Sequence, residues 1–268
     1  MLDESVDQPD VLACLCKELT EQLTILNMSS MHWLFVEQDV SQLLLEQAQV
    51  QRLSVQFQWF NRQYSSFEDY LSHFTSRKRK NVKKERAKVT SQGIDVVRLH
   101  GDNLTEQHML FFYHCYKQTY LKRSGHEGYL NENFFQTLFN DLHHNLMLVI
   151  ALQDETPIAS ALFIYDQHQL CGRYWGALEE IDNLHFECCY YQGIEFCIEQ
   201  NIAKFNPGTQ GEHKILRGFE PIYCYSNHSL KELAFHEAVE RFLEQETPQI
   251  TQYKQNAETL LPFKKTAS

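Results

Sequence analysis

A chain of 268 residues, 43% of them hydrophobic, has enough apolar side chains for one large domain or for two lobes sharing a core. Its mean hydropathy is −0.45, and no apolar run approaches the roughly 18 residues that a helical membrane span needs. The formal net charge of −11 argues against a bulk nucleic-acid binder, because most of the surface would repel a polyanion.

Residues 1–10 are acidic and polar, read as a flexible lead, and show no basic-then-apolar secretory signal, so a cytoplasmic location is expected. Leu12, Leu15, Leu19, Leu23 and Leu26 recur at three- and four-residue steps and predict a helix over 11–26. An extended run at 32–36, a helix at 40–48 and an alternating strand at 53–60 follow. Ser66 is a candidate N-cap for a helix whose apolar stripe is Phe67, Tyr70, Leu71 and Phe74. The basic stretch after Thr75-Ser76 either continues that helical region or begins a second helix, and Gly93 closes it before a strand at 94–99. Helices at 104–122 and 131–143 precede three strands, 146–152, 157–165 and 169–177. A helix at 186–200, a short strand at 203–205, a polar loop, an extended 222–225 and a helix at 230–246 complete the pattern. Pro248 is expected to end that last helix and to leave a tail. Two helices, a three-stranded meander, a helix and more strand is α+β order.

Four segments carry chemistry. Residues 77–88, RKRKNVKKERAK, hold eight of the 24 basic residues and one acid, so this strip is +7 and the remainder of the chain −18. Eight like charges repel one another, which suits an anion platform built from Arg77, Lys78, Lys80, Lys83, Lys84 and Arg86, or else a strip paired with the protein's own acids. Arg173, in Gly172-Arg-Tyr-Trp-Gly176, needs an anionic partner if it is buried: a ligand, or Glu187 or Glu212. In the helix that opens at His185, Glu187, Tyr191 and Glu195 share one face, while Phe186, Tyr190 and Cys197 read as core. Glu187 and Arg173 are catalytic candidates, expected to converge in one pocket with Gln210, Glu212 and His213. The loop 206–214, NPGTQGEHK, followed by Arg217-Gly218, crowds an acid, an imidazole and an ammonium beside two glycines. Glu212 or His213 could take a proton from an attacking amine, and Lys214 or Arg217 could hold an oxyanion or phosphate. Substrate contacts are expected from Tyr174, Trp175, Tyr191, Gln192, Gln210 and Tyr225. The eight cysteines form no CxxC pair, so reduced thiols are expected and no metal ligand is assigned. No nucleophile elbow, Walker loop or dinucleotide loop is present.

The ordered segments SRKRKNVKKER, GRYWG, LHFECCYYQGIEF and GTQGEHKILRGF resemble the FemAB-like peptidoglycan biosynthesis/recognition family of the GNAT superfamily, from about residue 30 to 246. The resemblance implies two GNAT-like lobes. Since members are longer at the N-terminus, it also implies a partial first lobe over 11–100, a complete second over 101–247 and a tail over 248–268. It implies transfer of an acyl or aminoacyl group to an amine, with acyl-CoA or aminoacyl-tRNA as donor and a peptidoglycan precursor as acceptor. Acetyl-CoA is disfavoured: where GNAT acetyltransferases carry a glycine-rich pyrophosphate loop, this chain reads ALEEIDNLHFE, with Glu179, Glu180 and Asp182 and no glycine after Gly176. The alternatives are a non-catalytic module that binds an anionic partner through 77–88, and an acetyl-CoA-dependent N-acetyltransferase. A shortened first lobe would expose an apolar face or strand edge and favour a homodimer.

Overall fold

The computed structural model describes residues 8–209 and 211–264. In chain order the first elements are α1 (Gln8–Ile25), β1 (Ser30–Val36), α2 (Gln38–Glu46), β2 (Val50–Phe60), α3 (Phe67–Ser72), α4 (Ser76–Ser91) and β3 (Ile94–His100). Then come α5 (Glu106–Ser124), α6 (Glu132–Leu142), β4 (Leu146–Gln153), β5 (Thr156–Tyr165) and β6 (Gln169–Ala177). One helical stretch follows, made of α7 (Leu184–Phe186), a π-helical turn (Glu187–Tyr191) and α8 (Gln192–Glu199). The last elements are β7 (Lys204–Asn206), a 3-10 turn (Glu212–Arg217), β8 (Glu220–Leu230) and α9 (Leu233–Thr259).

Contacts divide the chain into two compact units, at boundaries other than 100 and 247. Of the described residues, one unit comprises those up to 56 and those from 221 to 259, the other those from 57 to 220 and from 260 onward. In the first, β8 lies between β1 and β2, antiparallel to β1 from Ser30↔Leu230 to Val36↔Tyr225. A buried hydrogen bond from Ser41 Oγ to Asn227 Oδ1, 2.6 Å, ties α2 to β8. The helix α9 runs through Pro248 instead of stopping there. Proline removes one backbone donor and crowds the preceding turn. The buried side chains of Leu243 and Ala257, on either side of it, anchor the continuous helix.

The second unit carries the α+β, GNAT-like order. Its strands run β2, β7, β6, β5, β4, β3, antiparallel throughout except for β6 beside β7. The first six residues of β4 are all buried, as befits a strand covered on both faces. Phe112 and Tyr116 of α5 and Phe135 of α6 cover Leu146, Leu148, Ile150 and Leu162. Ser66 does cap α3, accepting from the Asp69 amide, and Phe67, Tyr70 and Leu71 behind it are buried. The basic stretch begins a separate helix, α4, with Val82 and Val89 buried. The chain end returns to this unit: Thr75 N–H donates to the Pro262 carbonyl and Lys264 N–H to that of His73, each at 2.9 Å. Residues 262–264 are therefore pinned as a short extended segment.

Candidate functional site

Two features of β6 create a cavity. The strand pairs with β7 only from Gln169↔Lys204 to Cys171↔Asn206, then continues to Ala177 while β7 gives way to Pro207. Across β6, the register with β5 steps from Phe163↔Gly172 to Leu162↔Tyr174. Arg173 is thus the extra residue of a β-bulge, a device that re-aims a side chain. The diverging strand ends, the helical stretch from Leu184 and the end of α5 enclose about 650 Å³, lined on β6 by Arg173, Tyr174 and Trp175. His185, Cys189 and Tyr190 line it from the helix, His213 and Lys214 from the 3-10 turn, and Tyr120 and Arg123 from α5.

His213 Nε2 lies 2.8 Å from the Tyr190 hydroxyl, and its ring centroid is 6.1 Å from that of His185. Burial, then the charges of Arg217 and Lys214, lowers the His213 pKa below its ordinary value. Burial, followed by His213, Arg123, Arg217 and Lys214, pushes His185 down to about 4. Both imidazoles are therefore neutral near pH 7. Lys214 is 1% exposed and donates to the Gly208 carbonyl at 2.7 Å, which closes the loop on itself. Burial pushes its ammonium down to about 8. Gly211 has φ +98°, and a Cβ there would come within 2.1 Å of the His213 ring, so this glycine gives the imidazole its room. Burial raises the Cys189 thiol far above neutral pH, which leaves it a protonated, unreactive wall.

The other expected residues lie elsewhere. Glu187 is buried and holds Arg86 at 3.0 and 2.8 Å, while accepting from Gln192 Nε2 at 2.7 Å. Arg86 also reaches Glu195, so it is an internal ion-pair partner and not part of an exposed strip. Tyr191 donates to Glu85, and Glu85 pairs with Arg217 at 2.8 Å. Arg217 stacks on Phe186, 3.5 Å from its ring centroid, and donates to the His213 carbonyl at 2.7 Å. It braces the turn from behind. Glu212 is exposed at the first position of that turn, Tyr225 belongs to the other unit, and Gln210 lies outside the described residues. On α4, Lys83 pairs with Glu68 and Lys88 with Asp182. Among the described residues Arg77, Lys78, Lys80 and Lys84 make no ion pair.

Arg123, His185 and Tyr190 were not among the expected site residues. Tyr190 has the periodicity of a core residue, and Arg123 looks like a favourable charge in the last turn of a helix. Three ligand-type groups, Asp102, His143 and His144, gather at the surface away from the cavity. No described helix is long and apolar enough to cross a membrane.

Parallel β6 and β7 splaying around a polar cavity, within an otherwise antiparallel sheet flanked by helices, define a GNAT-like fold. The chain matches the FemAB-like peptidoglycan biosynthesis/recognition family over residues 1–265 and belongs to it. Among solved structures, FemX superposes with a TM-score of 0.58 at 11% identity, covering 88% of this chain and 81% of FemX. L-PGS from Bacillus licheniformis gives 0.57 at 11% identity, covering 87% and 79%. The C-terminal domain of a putative lysylphosphatidylglycerol synthetase from Agrobacterium fabrum gives 0.57 at 9%, covering 91% and 78%. No curated protein sequence matches significantly.

Proposed function

We propose that this protein transfers an aminoacyl or acyl group to an amine acceptor in peptidoglycan-related biosynthesis, and that transfer takes place in the cavity between β6 and β7. The observation that carries the reading is the His213–Tyr190 contact of 2.8 Å at the cavity wall, with the imidazole kept neutral by burial. An amine nitrogen attacks the donor's ester carbonyl and gives up its proton to His213, directly or through Tyr190 Oη. Arg173 or Lys214 stabilises the oxyanion, and the departing alkoxide recovers a proton as the ester bond breaks. Glu212, at the start of the same turn, is the alternative base. Family membership and the likeness in fold to FemX support aminoacyl-tRNA as donor and a peptidoglycan-precursor peptide as acceptor. Arg77, Lys78, Lys80 and Lys84 on α4 would meet the donor's phosphates. The acidic segment 177–187, with Glu179 and Glu180 exposed, disfavours acetyl-CoA.

The test is transfer of a labelled aminoacyl group from tRNA to a precursor peptide. His213→Ala should lower the rate by about 10² or more with the thermal midpoint little changed. Transfer from acetyl-CoA alone, or full activity in the variant, would remove this reading. Donor binding without transfer would favour the recognition module.

A further inference from the structure

The cavity wall has a charge pattern opposite to that of the chain. The sequence holds 35 acidic residues and a net charge of −11, yet among the described residues no aspartate or glutamate lines the 650 Å³ cavity. Arg123, Arg173 and Lys214 do, together with two histidines. Lys214 already donates one hydrogen bond, to the Gly208 carbonyl. Arg123 and Arg173 make no ion pair among the described residues, and both are exposed to the cavity's solvent. Two guanidinium groups and an ammonium thus share one cavity wall without a neutralising carboxylate from the described residues, although in so acidic a protein one would be easy to supply. Arg173 faces this space because of the bulge opposite Leu162 and Phe163, which costs β5 and β6 a regular ladder position. Arg123 reaches it from the last turn of α5. Among the groups that hold His185 in its neutral form is Arg123 itself, so that guanidinium acts on the cavity interior.

We propose that Arg123 and Arg173 form a clamp for an oxyanion carried by the bound substrate, a carboxylate or a phosphate, whose charge replaces the missing protein acid. The clamp rests on the cavity being the transfer site and states what the ligand in it must carry. Forked guanidinium donors suit either group, because both present two oxygens to paired N–H bonds. A bound anion would also offset the positive charge that the two arginines bring to the cavity. The aromatic rings of Tyr120, Tyr174 and Trp175 would bury the apolar remainder of such a ligand.

Two arms separate the sources of the anion. Calorimetric binding to the full chain compares N-acetyl-alanyl-alanine with its C-terminal amide, and adenosine 5′-monophosphate with adenosine. In at least one arm the anion should bind about tenfold or more tighter than its neutral analogue. The preference should shrink to about unity in Arg123→Gln/Arg173→Gln and return in part with Arg123→Lys/Arg173→Lys. Arg241→Gln, a single surface change of the same kind on α9, should leave it intact. The arm that shows the preference names the carboxylate or the phosphate. Equal binding of anion and neutral analogue in both arms, or a preference that survives the double glutamine variant, overturns the clamp. Transfer activity is read separately: an unmodified chain that transfers yet shows no anion preference sinks the clamp alone. A preference kept by a chain that transfers nothing sinks the transferase reading.

Discussion

At the scale of single residues, protonation governs the site. The folded pKa of His185, about 4, lies below its unfolded value of about 6.5, and that of His213 is lowered too. Between those values the unfolded chain binds more protons than the folded one, so stability falls as pH drops from about 6.5 toward 4. For His185 the full shift corresponds to about 3 kcal/mol, an upper limit because the ring borders a solvated cavity. Unfolding followed at pH 7, 6 and 5 should show this loss, and His185→Phe should flatten the profile. A profile equally steep in the variant would place the effect elsewhere. Gly211 offers a sharper geometric test. Its φ of +98° and the 2.1 Å approach of a built Cβ to His213 predict that Gly211→Ala displaces the imidazole. Transfer should fall by about 10² while the thermal midpoint drops only a few degrees. The sequence points to the loop by its crowding of polar groups. It carries no sign that Glu212 at one position faces solvent while His213 at the next faces the cavity.

At the scale of elements, α4 is the informative case. Its composition marks it as a basic helix, and Val82 and Val89 mark the buried edge. Which charged residues turn inward beside them depends on the neighbours. Glu85 and Arg86 do, because the helical stretch against α4 offers Tyr191 for one and Glu187 and Glu195 for the other. The shared face of Glu187, Tyr191 and Glu195 was legible from their four-residue spacing. Its purpose was not, since spacing cannot tell an internal ion-pair ladder from a catalytic acid. The π-helical turn adds a second contact that α-periodicity does not anticipate: Gln192 reaches Glu187, five residues back. Arg86→Ala would leave Glu187, 6% exposed at its side chain, buried without its counter-ion. Denaturation should register a loss of about 3 kcal/mol, whereas Lys83→Ala, whose ion pair is exposed on both sides, should cost under about 1 kcal/mol. Equal small losses would mean that the ladder contributes little to the fold.

At the scale of the whole molecule, charge is unevenly spread: in a net −11 chain, residues 77–88 of the helix α4 hold eight of the 24 basic residues. Four residues of the helix, Arg77, Lys78, Lys80 and Lys84, are not ion-paired among the described residues. If they meet phosphates, their replacement by glutamine should weaken tRNA binding and reduce the salt-dependence slope of log K by about 3, at 0.7–0.9 per phosphate contact. Titrations at several KCl concentrations measure it. An unchanged slope would assign those charges to solubility alone.

By itself the sequence determined what depends on neighbours along the chain. The helices and strands, the cap at Ser66 and the α+β order follow from periodicity and local chemistry acting within a few residues, and the ordered motifs carry the resemblance to the FemAB-like family. Tertiary structure alone decided the rest. Pro248 sits inside a helix because packing on both sides outweighs one missing hydrogen bond. The polar candidates separate into a cavity set around Arg173, His213 and Lys214 and a buried ladder around Arg86 and Glu187. Arg123 joins the first set only because α5 ends where β6 and β7 part. Such placements turn on distances between residues far apart in sequence, and burial and Coulomb energies follow those distances.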